Sequence, residues 1–349
     1  MKSRKMLDVY CIVIIERKYG IISFKRLDDL GKSVEIVHEE EWYPASYIEE
    51  DGVRLFEELS RRIEKAAKNI WRLKKVLISM PGTIHKHSIV YSSSRIGIRK
   101  SIRAGEYLQK ELNVQVEIIH DMDCMLIGAF KDVLYTKEMF EKTLCYILMD
   151  EGVGSAFMIN GKIHHGAGIA GHISRLVVEK NGAFLQELAA RGTLESFVSR
   201  PWISKRCVEK YIASLNMKKR NAQDTTGSFR RFLHAMDEKN SKELSYEHIN
   251  IGIKEKDEIA LGTIQEAAQY MGQAINSIIT ILHPHEIVLA GNLIVKLDEF
   301  YEKILNEAEN LSWPAAWNHV NFRKSTGSRE EQMAGAMLLA VYDDIDEVV

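Results

Sequence analysis

The stretch Leu144-Cys145-Tyr146-Ile147-Leu148-Met149-Asp150-Glu151-Gly152-Val153-Gly154-Ser155-Ala156-Phe157-Met158-Ile159-Asn160-Gly161 decides the fold. An apolar run, Leu144 to Met149, enters a small-residue turn, and a second run, Ala156 to Ile159, leaves it. Asn160-Gly161 is the dipeptide that closes a tight hairpin, so the reading is strand, turn, strand, turn. Spaced glycines let backbone N–H groups approach an anion with no side chain in the way, which makes Gly152-Val153-Gly154 a candidate phosphate cradle. Glycine is also the ordinary residue of turns, so this turn alone does not select phosphate.

Working outward, the chain opens on the same pattern. Val9 to Ile15 is apolar and β-branched, Glu16 to Gly20 is a polar turn, and Ile21 to Leu27 is a second apolar run, with a third strand near Ser33 to Val37. Val53, Phe56, Leu59, Ile63, Ala66 and Ile70 fall at helical spacing and predict an amphipathic helix over 53–73. Val76 to Ser79 reads as a buried strand cut off by Met80-Pro81-Gly82; Gly105 to Leu112 as a helix, Val114 to Ile119 as a strand, and Cys124 to Phe130 as a helix start. Beyond the central hairpin the pattern predicts helices over 185–199, 208–215, 228–236 and 257–282, a strand over 286–290 and a closing helix over 331–342. The β-β-β-α-β-α-β-α opening is that of an α/β, ribonuclease-H-like lobe. The expected division is a smaller lobe over 1–120, joined by the closing helix near 330–349, and a larger lobe over 121–329.

With 349 residues, 46% apolar and 28% charged, the chain has the composition of a globular protein able to bury a large core. A net charge of −2 gives no general attraction to nucleic acid or to acidic membranes. Four scattered cysteines, Cys11, Cys124, Cys145 and Cys207, form no Cys-x-x-Cys pair and argue for a reduced, cytoplasmic setting. No apolar run reaches the roughly 18 to 20 residues of a membrane span. From Arg200 to Arg231 the chain is locally basic, read either as a solvated helix face with its loop or as an anion-binding patch.

The central hairpin, the segment Gly168-Ile169-Ala170-Gly171-His172 and the segment Arg191-Gly192-Thr193-Leu194-Glu195 together resemble the sugar-binding half of the ROK family, bacterial sugar kinases and the sugar-sensing repressors related to them. The resemblance extends from Val9 to Val341, through Met80-Pro81-Gly82-Thr83-Ile84 and Ala334-Gly335-Ala336, and implies the two-lobed actin-like ATPase (sugar kinase) fold. It implies a sugar-binding set of Gly82, His120, Asp121, His172 and Glu195, with Asp121 as the base of any kinase. His172 stands where the family has a glutamate, and imidazole cannot accept a pair of hydroxyls as a carboxylate can. At the family's zinc-ligand positions stand Arg175, Gln186, Leu188 and Thr193, so no zinc is expected, and Arg175 is either a guanidinium bridge for the loop that zinc would hold or a plain surface arginine.

The residues themselves leave alternatives open. Asp121 directly follows a buried strand, where α/β proteins present ligand contacts, and it also precedes a helical run, where it would serve as an N-cap. Glu195 is either a sugar contact or an exposed helix glutamate. On the nucleotide side the resemblance assigns Glu16, Gly20, Gly152, Gly154 and Gly291, and the set is degenerate. Where related kinases have Asp-x-Gly-Gly-Thr, this chain has Glu16-Arg17-Lys18-Tyr19-Gly20, with bulky side chains where backbone must meet phosphate.

Three functions fit. A sugar-sensing or regulatory binding protein with a degenerate nucleotide site ranks first, a divergent Mg-ATP-dependent hexose or N-acetylhexosamine kinase second, and a pseudokinase acting through its surface third. A small-molecule sugar is the expected ligand and a homodimer or higher homo-oligomer the expected assembly. The family's repressors begin with a helix-turn-helix, whereas this sequence starts at a strand, so no DNA partner is expected through this chain alone.

Overall fold

The computed structural model describes residues 7–27, 34–68, 71–131, 141–185, 190–217, 227–239 and 244–341. The chain divides into two compact units, one of Met1–Glu141, Ile159–Ala170 and Arg329–Val349, the other of Lys142–Met158 and Gly171–Ser328.

In the first unit β1 (Leu7–Ile15), β2 (Gly20–Leu27) and β3 (Val34–Trp42) form an antiparallel meander, and α1 (Val53–Ala67) leads to β4 (Trp71–Met80). The short hairpin β5 (Thr83–His85) and β6 (Ile89–Ser92), then α2 (Ala104–Leu112), lead to β7 (Gln115–His120), which runs directly into α3 (Asp121–Ala129). The sheet order is β3-β2-β1-β4-β7, with β4 parallel to both β1 and β7. Both faces of β1 are buried: Val9, Cys11, Val13 and Ile15 pack with Leu55, Phe56, Leu59 and Ile63 of α1, while Ile12 and Ile14 point the other way. A strand covered on both faces reads as a continuous apolar run rather than an alternating one.

The expected helix over 53–73 ends at Ala67, and Trp71 to Leu73 already belong to β4. Parallel pairing of Leu7 with Trp71, Asp8 with Arg72 and Val9 with Leu73 overrides the local helical spacing.

The central stretch forms β8 (Leu144–Met149) and β9 (Val153–Ile159), closed by Asn160 and Gly161 at φ of 52° and 74° before β10 (Lys162–Ile163). Two short strands, β11 (Phe184–Leu185) and β12 (Ala190–Arg191), precede α4 (Glu195–Val198), α5 (Arg200–Met217), α6 (Ser228–Lys239), α7 (Tyr246–Lys254) and α8 (Glu258–Leu282). Then come β13 (Glu286–Ala290), α9 (Asn292–Lys296), α10 (Asp298–Leu311), α11 (Pro314–Trp317), β14 (Asn321–Ser325) and α12 (Arg329–Val341), the last belonging to the first unit. The second sheet has the order β10-β9-β8-β13-β14, an antiparallel hairpin followed by two parallel strands. One topology therefore occurs twice, and it is the ribonuclease-H-like order expected from the opening strands.

The expected helix over 185–199 is not formed: its described part is strand, turn and only four helical residues from Glu195. The first unit's boundary at Glu141 lies beyond the expected one at residue 120, because α3 packs on α12 at backbone contact. A Cβ on Gly128 would strike the Glu331 carbonyl, and one on Gly335 the Cys124 carbonyl.

Candidate functional site

The first unit carries Glu16, Gly20, Gly82, His120 and Asp121. Asp121 is buried at the end of β7, as the sequence suggested, but the N-cap of α3 is His120 rather than Asp121. The Met122 N–H donates to His120 Nδ1 at 3.3 Å and to Asp121 Oδ1 at 2.9 Å, so both side chains are oriented by one backbone group. The outer oxygen of Asp121 lies 3.8 Å from the Arg95 guanidinium, which is half exposed.

Arg95 escaped the sequence reading because only a tertiary contact brings it to Asp121. Its loop is held by Ser93, whose hydroxyl donates to the Pro81 carbonyl at 2.5 Å. Gly82 has a φ of 144°, and a Cβ there would lie 2.6 Å from the Ser92 carbonyl oxygen, so only glycine fits this approach.

Around the first hairpin turn, the chain's own groups fill the space that a phosphate cradle leaves empty. A Cβ on Gly20 would run into the Trp42 indole. Tyr19 hydrogen-bonds Glu16 and Arg329, and the Arg329 guanidinium lies over its ring, 4.4 Å from the centroid, while pairing with Glu41 at 3.1 Å. Burial pushes the Glu16 carboxyl up from its ordinary range, Arg95 opposes this, and Asp121 adds to it.

The second unit carries Gly152, Gly154, His172, Glu195 and Gly291. The Val153 N–H of the glycine turn donates to Glu195 Oε2 at 2.9 Å, and a Cβ on Gly152 would sit 3.0 Å from the same oxygen. A carboxylate of the chain itself thus rests on the turn read as a phosphate cradle. Neither reading of Glu195 anticipated this partner.

The acids of that turn are held as well. Arg200 pairs with Asp150 and Glu151, and the Asn292 side-chain amide donates to Asp150 Oδ2 at 3.2 Å. Gly154 pairs with Leu148 inside the hairpin ladder. Gly291, at a φ of 110°, leaves room for the Met149 carbonyl, which its Cβ would strike.

His172 is solvent-exposed at the entry of a short turn. Of the zinc-ligand positions, Arg175 is exposed with no ion-pair partner among the described residues, and Thr193 is buried; Gln186 and Leu188 lie outside the described residues. A guanidinium and a hydroxyl do not fit a tetrahedral thiolate and imidazole site. Among the described residues Arg175 makes no such bridge and stands as a plain surface arginine. The loop is instead held by backbone: Val178 and Glu179 N–H donate to the Gly192 carbonyl at 2.9 and 3.2 Å, and a Cβ on Gly182 would lie 2.8 Å from the Gly192 Cα.

The described cations of the basic 200–231 stretch are engaged within the chain. Arg206 and Lys210 pair with Glu266 at 3.0 and 2.8 Å, Arg230 with Asp257 at 2.6 Å, and Lys205 lies 4.2 Å over the Trp202 ring. Lys218, Lys219 and Arg220 lie outside the described residues. In its described part the stretch therefore carries cations with partners inside the chain, some on the surface and one, Arg230 with Asp257, largely buried.

A family model described as "ROK family" matches residues 30–342. The chain belongs to the ROK family. Among ROK relatives, the glucokinase of Halalkalibacterium halodurans is 23% identical over 285 residues, covering 79% of each chain. The xylose repressor of Bacillus spizizenii is 20% identical over 273 residues, covering 78% of this chain and 62% of the repressor. A solved ROK family transcriptional regulator, described as a homologue of the E. coli MLC protein, superposes with a TM-score of 0.75 at 19% identity over 95% of this chain and 78% of its own. The fold is therefore the α/β, actin-like fold of ROK sugar kinases and regulators. Among the described residues, no helix is long and apolar enough to cross a membrane.

Proposed function

We propose that this ROK protein binds a small-molecule sugar as a sensing or regulatory protein and does not use its nucleotide elements for phosphotransfer. The sugar contacts implied by the family resemblance are Gly82, His120 and Asp121 in the first unit and His172 and Glu195 in the second. The observation that carries the reading is that both glycine turns are filled from within: Tyr19 and Arg329 crowd the first, and the Glu195 carboxylate takes the Val153 N–H of the second. At the second turn a phosphate must displace a like-charged carboxylate that is already hydrogen-bonded, and at the first it meets bulky side chains where backbone amides would have to reach it. The residues present do not fit Mg-ATP.

The test is a thermal-shift screen of sugars with and without Mg-ATP, followed by calorimetry. Stabilisation by a sugar alone is expected, with ATP binding absent or in the millimolar range. A micromolar dissociation constant for Mg-ATP coupled to sugar-phosphate formation would make the chain a kinase, the reading favoured by Asp121 at the strand end and by the glucokinase relative. The same reading expects no stoichiometric zinc in the purified protein. Elemental analysis returning about one zinc per chain would show that another loop supplies the ligands.

A further inference from the structure

Segment Ile159–Ala170 belongs to the first unit, although the chain on both sides of it, Lys142–Met158 and Gly171–Ser328, belongs to the second. It is a short strap, rich in glycine, with Gly166 and Gly168 at φ of 55° and 124°. At its centre the His165 carbonyl accepts from the Gly168 and Ala170 N–H groups at 2.7 and 3.0 Å, so His165 organises the strap's own turn. The His165 side chain reaches α3, where its Nε2 lies 2.9 Å from Asp123 Oδ2. Asp123 is buried, two residues beyond Asp121, and the strap runs directly into Gly171 and His172.

We propose that Asp123 and His165 form a proton-operated clasp that fastens the 159–170 strap to α3 and loosens when the imidazole loses its proton. A buried carboxylate is an acceptor only. It holds an imidazolium by a charge-assisted hydrogen bond, and a neutral imidazole by an ordinary one that depends on the tautomer. The other titratable groups around the strap are His87, whose ring centroid lies 6.2 Å from that of His165, His85, whose Nδ1 faces Gly168, and the neighbouring His164. The hydrogen bond to Asp123 raises the His165 pKa, against the opposing effect of burial. The clasp's contribution is thus complete below the ordinary histidine range and is lost as pH rises through the raised value. Both residues are positioning residues: Asp123 shares α3 with Asp121, and His165 lies seven positions before His172.

Two measurements on the full chain test the clasp without any ligand. Proton NMR of the His165 ring should show a titration midpoint above the ordinary histidine value, returning toward it in Asp123→Asn and recovering in Asp123→Glu. Hydrogen exchange of peptides covering 159–170, corrected for intrinsic pH dependence, should show several-fold greater protection at pH 6 than at pH 8. That difference should vanish in His165→Gln. An unshifted midpoint, or a pH-dependent protection that survives in His165→Gln, overturns the proposal.

The consequence for the ligand rests on the sugar reading above: affinity for a sugar found in the screen should fall more steeply from pH 6 to pH 8 in the parent than in His165→Gln, where the other imidazoles of the sugar set remain. A clasp seen by NMR and exchange with no sugar bound at either pH defeats the sugar reading alone. A bound sugar with no clasp signature defeats the clasp alone.

Discussion

Gly335→Val should cost the first unit at least about 3 kcal/mol, the upper end of the range for overpacking a core, and leave much of the protein insoluble on expression. The atoms a Cβ would meet at Gly335 are the Cys124 carbonyl, the Cys124 carbonyl carbon at 2.8 Å and the Gly128 nitrogen at 2.7 Å. All are backbone, so no rotamer change relieves the overlap. Either α12 moves away from α3, or α3 gives up hydrogen bonds in its last turn. Moving α12 also strains the buried hydrogen bond from the Gln332 side-chain amide to the Ser79 hydroxyl, at 2.8 Å, which ties α12 to β4.

For a unit of this size each kcal/mol shifts a melting midpoint by about 2 to 4 °C, so any soluble fraction should melt roughly 6 to 12 °C lower. Gly262→Ala is the matched control. That glycine is exposed in α8, its Cβ would meet only Lys210 Nζ at 3.8 Å, and the substitution should stabilise by up to about 1 kcal/mol through helix propensity. If the two variants melt together, the α3–α12 contact is softer than its geometry requires.

The same contact shows what a sequence reading can reach. Gly335 was legible as part of a small-residue Ala-Gly-Ala segment, but its partner, Gly128, lies 207 positions away by numbering and has no local mark. The hairpin of β8 and β9 was legible because its signals are all local: two apolar runs, a glycine turn and Asn160-Gly161. The strand over 286–290 was legible because His283 and Pro284 stop the helix before it, and β13 spans Glu286–Ala290. The helix expected over 185–199 fails at Gly192. That residue takes a φ of 65° against the Glu179 carbonyl, which interrupts any helix. Helix α10 has a local signal of its own, since Phe300, Ile304 and Ala308 share its buried face at four-residue spacing.

In the site the division is similar. Asp121 could be found from its place after an apolar strand. Arg95 and His165 could not, because each meets its carboxylate partner only through the tertiary fold, across 26 and 42 positions. The Glu195 contact with Val153 falls in the same class, since a helix glutamate and a hairpin amide 42 positions apart share no pattern that spacing would reveal.

Glu195→Ala should weaken a bound sugar by about 10- to 150-fold, the equivalent of losing a charged hydrogen-bond partner worth roughly 1.5 to 3 kcal/mol. The carboxylate has two oxygens, and the Val153 N–H donates to Oε2, which fixes the group's orientation. Alanine removes both, and the glycine turn loses its acceptor, so a small drop in melting temperature without ligand should accompany the loss of affinity. Glu195→Gln separates the two effects. Its amide oxygen can still accept from Val153, so the turn should keep its stability while the sugar loses a charged acceptor and binds at an intermediate affinity.

Asp121→Asn should cost less than Glu195→Ala, because the amide retains an acceptor for the Met122 N–H and one for a hydroxyl. It should also abolish any phosphotransfer outright, since an amide cannot take the proton of a sugar hydroxyl. Calorimetry on the three variants with one sugar from the screen therefore has a fixed order of affinity loss, Glu195→Ala above both conservative changes. Unchanged affinity in Glu195→Ala and Asp121→Asn together would remove the sugar from these residues, and would make the Glu195 carboxylate a structural partner of the glycine turn.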